Sequence, residues 1–223
     1  MIGLRPLGFA LSLAVPTAAS TCDLALMLAV DVSGSVDSKE YRIQMDGLAT
    51  ALRDPVISEA LVVGQATLAL VQWTGASRQS VTIPWTEIDS FDVLDAFARQ
   101  VGQDPRVWRH YSTAIGEMLS FAVDAFDTAP TCHRHLIDVS GDGPSNEGVS
   151  PTGVHTRLKA AKIVVNALAI EASEPDLTAY FFENVITGDG AFVVTASSFE
   201  DYPEQIRKKL LREVTLQSAA YTQ

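Results

Sequence analysis

Apolar and polar positions along this chain switch between two periods. The run Leu24-Ala25-Leu26-Met27-Leu28-Ala29-Val30 is apolar on both faces, as a strand buried between two layers must be. Asp37-Ser38-Lys39-Glu40 then has the form of a capping box, with Asp37 as N-cap and Glu40 three positions on. Tyr41, Met45, Leu48 and Leu52 follow at helical spacing, and Pro55 limits that helix. Residues 61–73 are β-rich, 74–77 form a turn, and 79–85 read as a returning strand, which makes a hairpin at one sheet edge. Further helices are expected over 91–101, 113–126, 151–161, 176–186 and 199–216. Further strands are expected over 135–140, 162–170 and 191–196. The loop 102–111 holds Pro105 and Trp108. The basic stretch Arg207-Lys208-Lys209 in the last helix reads as a solvated face.

Strands and helices thus alternate. That pattern predicts an α/β fold: a doubly wound, mostly parallel sheet of six strands, with one antiparallel edge strand and helices on both faces. Ligands of such sheets sit at the carboxyl ends of the strands, where the strand order switches. No internal repeat, low-complexity linker or second domain interrupts the pattern, so residues 20–223 read as one domain.

The first 19 residues stand apart. Arg5 precedes an apolar run, residues 7–15, and Pro16-Thr17-Ala18-Ala19-Ser20 supplies small residues for cleavage after Ala19. The order is that of a secretory signal peptide, so the protein is expected to be exported, periplasmic or secreted. The run is short for a transmembrane span. The two cysteines fit export. Cys22 lies nine positions before Asp31, and Cys132 ten before Asp142. If both strands are parallel neighbours ending at one site, the cysteines start level and a disulfide can form. Two free thiols are the alternative for an intracellular chain. The net charge of -11 and the lack of a basic stripe argue against nucleic-acid binding.

Candidate chemistry concentrates at Asp31-Val32-Ser33-Gly34-Ser35, where the first strand turns toward a helix. One carboxylate and two hydroxyls at alternate positions aim three oxygens at one point. Oxygen-only donors suit a hard divalent cation, Mg²⁺ above all. Taken alone, such a loop is also compatible with an ordinary helix cap.

Together with Thr113 in Tyr111-Ser112-Thr113-Ala114 and Asp142 in Ser140-Gly141-Asp142-Gly143, this loop resembles the von Willebrand factor type A domain and its metal-ion-dependent adhesion site. The resemblance spans residues 22–216 in element order and motif, and is nearest to a bacterial exported branch of uncharacterised function. It implies a metal set of Asp31, Ser33, Ser35, Thr113 and Asp142, holding Mg²⁺, or Mn²⁺ or Ca²⁺ in its place. It also implies a protein partner that supplies a carboxylate to the ion. Three of the five donors are neutral hydroxyls, so the ion stays electrophilic toward that carboxylate. Trp108, Arg109, Tyr111, Asn146 and Glu147 flank the loops and are candidate partner contacts, with core packing the alternative for Trp108. One departure is Ser140-Gly141, where the family pattern places a hydrophobic residue and Thr before Asp-Gly.

Asp138 falls inside a strand expected to be buried, where an unpaired carboxylate is costly; protonation or a pairing with Arg134 or His135 would relieve it. His133 and His135 share a strand face but lack a third ligand, so they read as strand-edge residues. Two further functional readings stand beside the binder. One is a hydrolase using Ser33, His110 and Asp142, though no Gly-x-Ser-x-Gly elbow is present. The other is a structural envelope protein with an unused site. The expectation is a binder, not an enzyme.

Overall fold

The computed structural model describes residues 22–220; the expected signal peptide, 1–19, lies outside them. Six strands form one sheet in the order β3-β2-β1-β4-β5-β6. They are β1 (Cys22–Asp31), β2 (Thr67–Trp73), β3 (Gln79–Glu87), β4 (Cys132–Gly141), β5 (Ile163–Ile170) and β6 (Val193–Ala196). All neighbours pair in parallel except β3, which returns antiparallel to β2 at one edge. The α/β sheet is therefore the expected one. Its order switches at β1, which has β2 on one side and β4 on the other.

The period-2 geometry of β1 divides the core. Leu24, Leu26, Leu28 and Val30 face one layer, which contains α1 (Ser38–Leu52), α3 (Phe91–Gln103) and α7 (Tyr202–Ala220). Met27 and Ala29 face the other, made by α4 (Ile115–Ala125), α5 (Pro151–Ala160) and α6 (Leu177–Asn184). The stripe Tyr41, Met45, Leu48 and Leu52 is buried as its spacing requires. Asp37 accepts from Lys39 N and Glu40 N, and Glu40 reaches back to Asp37 N, which completes the capping box. No helix among the described residues is long and apolar enough to cross a membrane.

Several boundaries differ from the sequence reading, two of them with consequences for the fold or the site. Residues 61–63 are not strand: they end α2 (Pro55–Val63), a helix the sequence reading passed over. Its start is an Asp54 N-cap followed by Pro55 at the first helical position, so Pro55 ends one helix and opens the next. The fourth helix begins at Ile115, because Ala114 is its N-cap, so Thr113 sits in the loop before it.

The cysteines do start level. Cys22 and Cys132 are register partners on β1 and β4 and form a disulfide, with Cα atoms 4.5 Å apart.

The expectation for Arg207-Lys208-Lys209 is corrected. Arg207 and Lys208 are exposed and pair with Asp54 and Glu204. Lys209 is fully buried, its Nζ 2.7 Å from Asp138 and 2.6 Å from Glu213. The partner of Asp138 is therefore this lysine, not Arg134 or His135. Asn166 donates to the same Glu213 oxygen at 2.9 Å. Burial pushes the Glu213 carboxyl up to about 8, against the pull of Lys209.

Candidate metal centre

The first strand ends at Asp31, and the chain turns there because Asp31 Oδ1 accepts from Ser33 N at 2.7 Å. That turn stacks the two serine hydroxyls, with Ser33 Oγ and Ser35 Oγ 3.1 Å apart. Ser35 Oγ then donates to Asp142 Oδ1 at 2.7 Å, across the gap between β1 and β4. Asp31, Ser33, Ser35 and Asp142 thus form one connected cluster at the carboxyl end of the sheet, on both sides of its switch point.

Thr113 stands in the adjoining loop, 5% exposed. Asn146 holds it there: Asn146 Oδ1 accepts from Thr113 N at 2.9 Å, and Asn146 N donates to Thr113 O at 2.8 Å. Ala114 offers no side-chain cap to α4, so Ser145 Oγ accepts from Ile115 N at 3.1 Å in its place. The third loop therefore caps the helix that follows the second. The first loop is tied to the second by Gly34 N donating to Tyr111 O at 2.7 Å. Gly34 is required for close approach, since a Cβ there would stand 3.2 Å from Tyr111 O and 3.4 Å from His110 Cα.

Electrostatics set this cluster apart. Asp31 is wholly buried and its Oδ2 has no hydrogen-bond partner. Burial, then the nearby Asp142, pushes its carboxyl up to about 8; bonds from Ser33 and the charge of Arg106 pull the other way. Burial also raises Asp142, against the Ser35 bond. Two buried carboxylates, one with an orphaned oxygen, meet the Ser33 and Ser35 hydroxyls here, with Thr113 in the adjoining loop. That donor set fits a hard divalent cation. Among the described residues no cluster of three or more His, Cys, Asp or Glu is placed to hold a metal. The set described here differs in combining two carboxylates with serine hydroxyls.

Arg106 escaped the sequence reading, and Gly141 entered it only as a departure from the family pattern. Arg106 Nη2 donates to Val32 O and Ser33 O at 3.0 and 2.8 Å, clasping the first loop from behind. Gly141 explains the departure before Asp142: a Cβ there would come within 3.1 Å of Asp31 Oδ2 and 3.5 Å of Trp73 and Phe181. Glycine leaves the space that the Asp31 carboxylate fills. Its position one residue before Asp142 was visible in the sequence, but Trp73 and Phe181 come from distant elements.

The candidate partner contacts divide. Trp108 packs against the core layer of α1, α3 and α7. Glu147 accepts from Ala76 N at 2.9 Å and from Ser112 Oγ, and Asn146 braces Thr113. Arg109 and Tyr111 are exposed, and the Arg78 guanidinium lies 3.8 Å over the Tyr111 ring. Ser33, His110 and Asp142 are not joined as a triad. Ser33 and Ser35 bond each other and Asp142, and exposed His110 bonds neither serine. His135 packs against the Phe126 ring.

A family model described as a protein of unknown function (DUF1194) matches residues 21–218. No curated protein matches the sequence. Solved structures match the fold. Proximal thread matrix protein 1 of the mussel byssus, in a structure with a zinc-occupied MIDAS motif, is 19% identical with a TM-score of 0.62, over 89% of this chain and 49% of that one. A von Willebrand factor type A protein from Catenulispora acidiphila is 18% identical with a TM-score of 0.59, over 87% and 43%. The vWF domain of the type V pili tip protein Mfa5 from Porphyromonas gingivalis is 9% identical with a TM-score of 0.61, over 92% and 98%. The chain spans about half the length of the first two. The fold is that of the von Willebrand factor type A domain.

Proposed function

This chain belongs to the DUF1194 family of proteins of unknown function, and from that membership and its von Willebrand factor type A fold we propose a metal-dependent binder of a protein partner. The observation that carries this reading is the buried Asp31 Oδ2, without a hydrogen-bond partner, on a carboxylate that lies within electrostatic reach of Asp142. Asp31, Ser33, Ser35, Thr113 and Asp142 would hold the ion, Mg²⁺ above all. When bound, that ion supplies the missing positive charge and an open position for a carboxylate of the partner. Ser35 and Asp142 already share a proton-bearing contact that the ion would replace with shared ligation. Arg106 keeps the first loop in register, and Asn146 keeps Thr113 beside it. Of the candidate partner contacts, Arg109, Tyr111, Asn146 and Glu147 are exposed, and they would meet the partner.

The neighbours support the binder over the hydrolase, since one has a zinc-occupied MIDAS and another is a pilus tip protein. The disulfide supports the exported location read from residues 1–19.

The test is titration calorimetry of Mg²⁺ into the full chain, followed by capture from envelope extracts with and without chelator. Uptake of Mg²⁺ that disappears in Asp31→Ala, with capture reversed by chelator, supports the reading. Capture that chelation leaves unchanged overturns it.

A further inference from the structure

The rim of the candidate site is uneven. On the side of the second loop, Gly34 brings residues 110 and 111 directly onto the first metal loop. His110 is held there at φ 61, a left-handed conformation that a non-glycine residue adopts at some energetic cost. Arg109, His110 and Tyr111 are all exposed, and the backbone of His110 and Tyr111 abuts Gly34, which lies between Ser33 and Ser35. Tyr111 is covered in part by the Arg78 guanidinium.

Arg109 differs from the other arginines. Each of the rest among the described residues has an ion pair, a backbone carbonyl or an aromatic ring under it. Arg109 has no hydrogen bond or ion pair among the described residues, although the chain carries 27 acidic side chains against 16 basic ones. Its neighbour in charge is Arg106, whose own head is occupied on Val32 and Ser33. Glu174 lies close enough to Asp142 to act on it electrostatically. The loop that abuts Gly34 therefore carries an exposed cation with no hydrogen bond or ion pair among the described residues.

We propose that Arg109 receives a second carboxylate of the partner, so that the partner's motif is a pair of acidic side chains with its first on the metal. This rests on the metal-dependent reading above. Charge complementarity selects the occupant: an acidic segment matches Arg109, whereas a basic side chain there meets repulsion from Arg106 and Arg109 together. In an extended segment, alternate residues face the same way about 7 Å apart, so two acids separated by one residue present both carboxylates on one face. A guanidinium takes a carboxylate through paired N–H donors.

The probes are three labelled, end-capped peptides, Gly-Asp-Gly-Asp-Gly, Gly-Asp-Gly-Asn-Gly and Gly-Asp-Gly-Lys-Gly, titrated against the full chain in saturating Mg²⁺. The diacid is expected to bind about fivefold more tightly than the Asn peptide, the size of one partly exposed ion pair, and the Lys peptide most weakly. Arg109→Gln should erase the preference for the diacid and Arg109→Lys should keep part of it. Neither should change Mg²⁺ affinity measured by calorimetry without peptide. If Mg²⁺ binds but the diacid and Asn peptides bind equally, or neither binds, the pairing of Arg109 with a second acid is overturned while the metal reading stands. A preference that survives Arg109→Gln overturns it as well. Failure of Mg²⁺ to bind removes both.

Discussion

Two places in this molecule bury a pair of carboxylates, and they solve the same electrostatic problem in opposite ways. Midway along β4, Asp138 and Glu213 enclose Lys209, whose Nζ lies within 2.7 Å of both, and Asn166 adds a bond. At the carboxyl end of the sheet, Asp31 and Asp142 are just as deeply placed but have no lysine between them. Arg106, the basic group that acts on both, gives its Nη2 to backbone carbonyls. The first cluster carries its cation within the chain and is finished by folding. The second is left without an internal cation, as the proposed metal site requires.

Removing the internal cation should have the largest effect. Lys209→Met strands two buried carboxylates and is expected to lose about 3–5 kcal/mol in urea unfolding. Restoring much of that loss by adding Asp138→Asn and Glu213→Gln would identify charge, not packing, as the cause. At the other cluster, the cation is added rather than removed. Mg²⁺ at a hundredfold over its dissociation constant should stabilise the wild type by about 2.7 kcal/mol in the same assay. Asp31→Asn should abolish that gain, and it should stabilise the metal-free protein by ending the repulsion with Asp142. An unchanged Mg²⁺ response in Asp31→Asn would erase the contrast between the clusters.

Gly141→Ala presses a methyl group toward Asp31 Oδ2, Trp73 and Phe181. It is expected to lose about 1–3 kcal/mol, the usual range for overpacking, and to weaken Mg²⁺ binding together with stability. The gentlest probe is pH. Asp31 and Glu213 both have carboxyls raised to about 8, from ordinary values near 4. Between those limits the native state holds more protons than the unfolded chain, so these groups' contribution is full below about pH 4 and lost as pH rises toward 8. Metal-free protein should therefore lose stability with rising pH across that window. Mg²⁺ should cancel the part due to Asp31 but not the part due to Glu213, so the slope should shrink without vanishing.

The same contrast separates what was legible in the sequence from what was not. Asp31, Ser33 and Ser35 were readable because one turn carries all three, and Asp142 because it ends an apolar strand. The disulfide was readable from two matched spacings. The internal cation was not, because a run of three basic residues looks solvated when taken as a run. Read by helical position, Lys209 and Glu213 fall on the stripe of Tyr202, Ile206, Leu210 and Val214, all buried. That placement carried the signal. The short helix α2 was missed because its apolar end merges with the strand that follows, and periodicity does not separate brief apolar runs. Arg106 and Gly141 act through neighbours that no local pattern contains.

The disulfide between β1 and β4 has a mechanical meaning. Asp31 and Asp142 stand at the carboxyl ends of those two strands, so tension applied at the ion would pull on both together. Cys22 and Cys132 join the same strands at their opposite ends. Sliding one strand past the other would then have to stretch a covalent bond as well as break a ladder of hydrogen bonds. The pair that bears the load is bolted where the load is farthest away.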